Sequence, residues 1–440
     1  MLDIPKARAA LLVSLALTGL LPAEDRTSIR TQIEQRTGKT IPAAAPQPRR
    51  PFSLPPSLTL SGELTADQAV EIALWNNAAL ESSLAAIGIA EADLADAKLL
   101  RNPNIQTLLP VGLKPFEFLL SWPIEDLWQR KRRVLAAQQN LDAVATALVQ
   151  NGLNLVRDVR VTHADLWLAE RRGRVLLESA AVRERIAELT RRRLDAGDAS
   201  GMDLTLAETD ARSTAELAAR AVGDAGIVRA RLRVLLGMKS DGQPILAKAD
   251  ARSGDLAEPG KLVETAFASR PDLRAAELAI EASAYRAKWQ RSRVLSLVMP
   301  MLSVKETGTP LKARAGPGLQ IEIPFFNRNQ GQIARADADV IQSAWRYAAL
   351  RDQVEGEVNE SLARLDQARE SLNRIRAELI PKVKQGIAQM ETAHKDGDAS
   401  YLNVLEAVRQ RFDADLREAD SEAALARAYA ELERAVGKKL

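Results

Sequence analysis

Gly197-Asp198-Ala199-Ser200 recurs as Gly397-Asp398-Ala399-Ser400, two hundred positions later and in matching surroundings. A long charged segment with apolar periodicity precedes each copy, and a similar one follows: Met202-Asp203-Leu204-Thr205-Leu206-Ala207-Glu208 in the first, Leu402-Asn403-Val404-Leu405-Glu406-Ala407 in the second. The chain therefore reads as a duplication, and each copy as a turn between two antiparallel helices. Gly supplies the turn, while Asp and Ser offer side-chain oxygens to the free N–H groups of the returning helix.

The segments before the turns are the longest elements. From Ile124 to Leu194 no Pro interrupts the chain, and Val134, Leu141, Leu148 and Leu155 fall at seven-residue spacing; Val358, Leu365, Leu372 and Leu379 repeat the pattern in the second half. These are coiled-coil seams. At 1.5 Å per residue the first such helix is ~105 Å long, against ~55 Å for Thr65–Arg101 and ~50 Å for Leu204–Leu236. Two half-length helices stacked end to end match one long helix, so each repeat supplies one full and two half staves of a long rod. Thr65 reads as the cap of the first half-stave, and the segment Gly260 to Arg293 as its counterpart in the second repeat.

Strand signals occur at the same place in both repeats. Pro103–Val111 and Phe116–Pro123 are joined around Gly112-Leu113-Lys114-Pro115; Ser296–Lys305 and Gly318–Phe325 are joined through Gly308-Thr309-Pro310. Each repeat contributes one β-hairpin, over 103–123 and 296–325. Leu319, Ile321, Ile323 and Phe325 alternate with Gln320 and Glu322, as Phe116, Phe118, Leu120 and Trp122 do with Glu117 and Ser121. A strand between lipid and water has this pattern, and so does an ordinary half-buried sheet.

Lys6 and Arg8 precede an apolar run from Ala9 to Leu21 and a small residue at Ala23, an export signal over 1–23 that is too short for a membrane span of ~20 residues. Residues 24–63 read as an extended Pro-rich arm, as in Pro46-Gln47-Pro48 and Pro51-Phe52-Ser53-Leu54-Pro55-Pro56. Gly38-Lys39-Thr40 is no phosphate loop, because the required earlier glycine is Ile33 and no strand precedes it. With no long apolar helix elsewhere, any membrane crossing falls to strands.

Composition excludes several function classes. The 61 basic and 58 acidic residues are balanced along the chain, which describes solvated helix faces and not a nucleic-acid surface. The absence of Cys removes disulfides, thiolate metal sites, Cys nucleophiles and a lipid-modified N-terminal Cys. Two His, His163 and His394, lie far apart in helical sequence, each reading as a helix residue and not a ligand. No catalytic, cofactor or metal-binding constellation is present, so an enzyme is not expected. A soluble coiled-coil scaffold would explain the heptads but neither the paired hairpins nor the export signal.

The order of elements, the segment Pro324-Phe325-Phe326-Asn327-Arg328-Asn329-Gln330-Gly331, the two Gly-Asp-Ala-Ser turns and the closing Glu431-Leu432-Glu433-Arg434-Ala435-Val436-Gly437 resemble the TolC-like outer-membrane efflux proteins, above all their heavy-metal resistance branch. The resemblance spans Leu64 to Gly437. It implies a mainly α chain of duplicated helical hairpins with a small β part, three copies forming a periplasmic α-barrel and a twelve-stranded β-barrel in the lipid of the outer membrane. Activity would be that of a passive exit duct for metal cations or drugs, docked by a periplasmic adaptor and an inner-membrane pump of the resistance-nodulation-division class. The rival is the duct of a type I polypeptide exporter. Residues 64–237 and 262–440 become the two structural repeats, and 238–261 an equatorial linker. Gly197, Asp198, Ala199, Ser200, Gly397, Asp398, Ala399 and Ser400 become the adaptor-contacting tip. Asp203, Asn403 and Glu406 become gate candidates, with Asn403 and Glu406 standing where the family often has two Asp. Glu117, Gln320 and Glu322 would face the barrel lumen.

Overall fold

The computed structural model describes residues 24–39, 52–58, 62–109, 116–238, 246–248, 258–293, 298–307, 312–321, 323–396 and 398–440. The export segment 1–23, both strand connections, Glu322 and Gly397 lie outside them.

The first element corrects an expectation. Within the arm read as extended, residues Glu24–Thr37 form a helix, α1, ended by Gly38 at φ 68°. Its sequence is polar and carries no helical stripe, so its conformation depends on what it touches. Arg30, Ile33 and Thr37, one turn apart, are buried. Ile33 sits against Gly152, where a Cβ would come within 3.1 Å of its side chain, and Arg30 donates to Glu81 at 3.1 Å. Arg36 donates to the Gly437 carbonyl at 3.1 Å, tying the arm to the end of the second repeat.

In the first repeat the half-stave is broken into α2 (Ala66–Asn76) and α3 (Ala78–Lys98), and α2 opens on a Thr65–Gln68 capping box. After β2 (Asn104–Leu108) and β3 (Glu117–Ser121), the full stave α4 runs without interruption over Asp126–Asp195, and α5 (Gly201–Leu235) returns. The second repeat follows the same plan: α6 (Pro259–Ser269), α7 (Pro271–Ser292), β5 (Val298–Thr307), β6 (Lys312–Ile321), α8 (Gln330–Arg374), α9 (Ile380–Lys395) and α10 (Tyr401–Val436). Its long stave is not uniform. Ile375–Leu379 is a turn of π-helix, placed where Pro381 has no N–H to give to the carbonyl four residues back. No helix among the described residues is long and apolar enough to cross a membrane.

The break in each half-stave has a function in packing. Asn77 caps α3 by accepting from Leu80 N–H, and donates to the Leu235 carbonyl at the end of α5. Arg270, at the equivalent break between α6 and α7, donates to the Ala435 carbonyl at the end of α10 and pairs with Asp272 at 2.5 Å. Each break thus holds the last turn of its own repeat's return helix. A two-stranded parallel ribbon, β1 (Glu63–Leu64) with β4 (Leu246–Ala247), closes the same level. His163 is buried there, its Nε2–H donating to the Leu64 carbonyl at 2.8 Å. It is a packed helix residue, as its setting predicted.

The heptad seams are the core. Leu141, Leu148 and Leu155 are buried, as are Val358, Leu365 and Leu372. Val134 and Leu379 are only half-buried, Leu379 because it lies in the π turn. α10 packs on α4 and joins the repeats, with Arg172–Asp420 at 2.6 Å and Arg427–Asp165 at 2.6 Å across the seam.

Four strands form one antiparallel sheet in the order β2-β3-β5-β6. β6 begins at Lys312, earlier than the Gly318 suggested by hydrophobic alternation, because ten residues of it pair in register with β5. It ends at Ile321, and Ile323 and Phe325 lie beyond it and are exposed. At the base of the sheet, Arg101 N–H and Nε hold the buried Asp126 at 2.8 and 3.0 Å. In the second repeat Asn329, left-handed at φ 60°, donates to the Gln290 carbonyl at 2.8 Å. The Asn-Arg-Asn-Gln segment is therefore the strand-to-helix corner.

Candidate functional site: the hairpin turns and the polar sheet face

The two turns lie at the ends of the long staves remote from the sheet, about 100 Å away by helix rise. The first is built from backbone outward. Gly197 at φ 86° lets its N–H reach the Leu194 carbonyl at 3.0 Å and Asp198 N–H reach the Arg193 carbonyl at 2.7 Å, closing the free carbonyls of α4. Ser200 then caps α5, its Oγ accepting from Asp203 N–H at 3.1 Å, while the Asp203 carboxylate accepts from Ser200 N–H at 2.9 Å and Ser200 Oγ–H at 2.7 Å. These bonds, the backbone one foremost, hold the Asp203 carboxyl below the usual aspartate range. The capping carboxylate is Asp203. Asp198 contributes only its backbone and leaves its side chain exposed.

The second turn keeps the backbone plan and changes the side chains. Asp398 N–H reaches the Ala393 carbonyl at 2.8 Å, two hundred positions from the equivalent bond. Ser400 makes no side-chain cap, and Asn403 stands where Asp203 closed the box. His394 instead pins the turn: Nδ1–H donates to the Ala399 carbonyl at 2.9 Å, and its ring lies 5.5 Å from that of Tyr401.

The three gate candidates are all exposed. Glu406 pairs with Arg409 at 3.4 Å, and Arg409 also reaches Asp210 of α5 at 3.8 Å. Asp203 is engaged in its cap, and Asn403 donates its backbone N–H to the Ser400 carbonyl at 2.9 Å. The structure thus gathers the candidates at one end but neutralises Glu406 and commits Asp203. Arg409, an arginine linking the two hairpins through Glu406 and Asp210, was not singled out from the sequence; its spacing of three from Glu406 was the available signal.

At the other end, the sheet register sorts the strand residues onto two faces. Glu117 lies opposite Lys305, Lys305 opposite Arg314, and Gln320 opposite Met299, so Glu117 and Gln320 share one face with Asn104, Gln106 and Ser303. The other face carries Ile105, Phe118, Leu120, Leu302, Val304, Leu319 and Ile321. The face of Glu117 and Gln320 also carries Leu108, Leu119, Met299 and Met301, so the sheet has one largely apolar face and one face that bears its polar and charged side chains among apolar ones. With unpaired outer strands it is incomplete by itself.

A family model described as outer membrane efflux protein matches residues 116–238 and 262–438. The cobalt-zinc-cadmium resistance protein CzcC of Cupriavidus metallidurans is 24% identical over 363 residues, covering 81% of this chain and 86% of CzcC. The outer membrane efflux protein BepC of Brucella suis is 24% identical over 383 residues, 80% of this chain and 79% of BepC. Among solved structures, the Campylobacter jejuni outer membrane channel CmeC superposes with a TM-score of 0.69 at 16% identity, covering 84% of this chain and 85% of CmeC. CusC superposes at 0.68 and 18% identity, over 90% and 98%.

Proposed function

Because the chain belongs to the outer membrane efflux protein family, we propose that it is the passive exit duct of a tripartite efflux assembly, working as a homotrimer. Members of this family are outer-membrane channels and not enzymes. The single observation that carries the reading is the amphipathic sheet: four strands, too few to close a barrel, stand at the head of helices of ~100 Å. Three copies would join β2 of one to β6 of the next, turning the apolar faces to lipid and the faces with Glu117 and Gln320 to water. The helices would form the periplasmic tube.

Exposed apolar side chains on an edge stave support the trimer. α5 packs chiefly on α4, and meets α10 through Arg409–Asp210 and the α2–α3 break through Asn77. Leu206, Leu217, Ile227 and Val234 are exposed on it, and they fall in a stripe about 100° wide, the width that normally faces a partner. A second copy is the occupant that a closed ring provides.

The two turns, at the end remote from the membrane, are then the docking end for a periplasmic adaptor, which couples the duct to an inner-membrane pump of the resistance-nodulation-division class. Similarity to a cobalt-zinc-cadmium resistance protein supports divalent metal cations as cargo and argues against polypeptide export. Asp203, Asn403 and Glu406 would line the narrow end. Two experiments test this. Cells lacking the chain should accumulate Co2+, Zn2+ or Cd2+ when challenged and recover on its return; unchanged metal content would remove the cargo assignment. Photo-cross-links placed at Ser200 or Ser400 should capture the adaptor, and capture only from mid-helix positions would misplace the docking end.

A further inference from the structure

We infer that Lys305 and Arg314 form a basic ring at the outer mouth of the duct, which concentrates anions there and repels cations from re-entering. The inference rests on the reading of the polar sheet face as the water-filled wall.

The register puts Glu117, Lys305 and Arg314 side by side on three neighbouring strands and on one face. Lys305 and Arg314 are directly opposed, an arrangement that costs stability in a sheet because like charges meet at close range. Glu117, opposite Lys305 on the other side, offsets it only in part: both basic side chains are exposed, and neither has a hydrogen bond or ion pair among the described residues. The one carboxylate in the row, Glu117, lies beyond Lys305 and accepts from Ser303 Oγ–H at 3.4 Å. Each chain therefore brings two bases against one acid.

Their height in the sheet is also set. Asn104, Ser121 and Ile321 mark the ends of the strands next to the helices, where Arg101 binds Asp126 and Asn329 binds Gln290. Lys305 and Arg314 lie toward the opposite end, beside the β5–β6 connection. Threefold repetition would make them a ring at the exit, with charge focused by low-dielectric walls.

The chain contains no Cys, so a single introduced thiol is a background-free probe of local potential. Ser303→Cys places it on the same face, two residues from Lys305. In outer-membrane vesicles the thiol should react faster with an anionic methanethiosulfonate than with a cationic one, after normalising to a small free thiol. Adding Lys305→Gln and Arg314→Gln should lower that ratio about tenfold, the lower end of electrostatic steering effects. Reaction with both reagents at a ratio the double substitution leaves unchanged overturns the basic ring while keeping the face in water. Failure of both reagents to react means the face is not in water, and removes the ring together with the lumen assignment.

Discussion

Gly237 and Gly437 end the return helices of the two repeats at φ 67° and 82°, each seated on the break in its half-stave. A Cβ on Gly237 would lie 2.6 Å from the Asn76 carbonyl, and one on Gly437 3.1 Å from Arg270. Both a left-handed backbone and a contact with no room demand glycine here. Gly237→Ala should therefore destabilise the chain by about 1–3 kcal/mol or more, read as a lower midpoint in denaturant; an unchanged midpoint would contradict the packing described. At the first turn, Ser200→Ala removes a cap worth about 1 kcal/mol and should speed amide exchange in the first turn of α5 with little change elsewhere. The same turn has an acid limit. A carboxyl held low, as Asp203 is by Ser200, contributes stability above its ordinary value that is lost as pH falls through the lowered one. Below about pH 4, protection at Ser200–Asp203 should fall, while the second turn, with Asn403 in that place, should not follow.

Among the elements, the two long staves differ in one respect with mechanical consequences. α4 is continuous, whereas its counterpart is interrupted by the π turn at Ile375–Leu379, and Arg376 within that turn bridges Glu418 at 2.8 Å and also Glu422 on α10. Pro381→Ala would restore an N–H and allow regular helix, a gain of up to about 3 kcal/mol; thermal unfolding should move upward, and an unchanged or lower transition would show that the π turn has another cause. Burial pushes the Asp415 and Glu422 carboxyls up, with Glu418 adding and Arg411 and Arg376 opposing. A carboxyl raised by folding gives stability that is full below its unfolded value and lost as pH rises through its folded value. Mild acid should thus increase exchange protection in α10 near 415–422, opposite in sign to the first turn.

The elements differ in how plainly their sequence declares them. Seven-residue spacing marked Leu141, Leu148, Val358 and Leu365 because heptads report a buried seam wherever the partner lies. The helix at Glu24–Thr37 was invisible, since its fold depends on Gly152 and Glu81, far away in sequence. The early start of β6 was hidden by Ala-Arg-Ala-Gly-Pro-Gly, which has no alternation and is held as strand by β5. At the turns the repeated motif marked both helix ends and Ser200 caps α5 as read, but the carboxylate that joins it is Asp203 and not Asp198, because the left-handed glycine decides which residues meet the helix start.

At the scale of the whole molecule, two repeats joined through α4 and α10 give a rod with an open sheet at one end and paired turns at the other. Closing the sheet requires further copies, and the exposed stripe on α5 requires a covering neighbour. In the proposed ring the face of Glu117 and Gln320 would line the water, whereas a lone sheet would leave Phe118, Leu120, Leu302 and Leu319 facing lipid on one side and the unpaired edges of β2 and β6 within it. Native mass spectrometry of the protein extracted by mild detergent from the outer-membrane fraction tests this most directly. The account predicts particles of three chains; particles of a single chain, or recovery of the protein wholly in the soluble fraction, would contradict it.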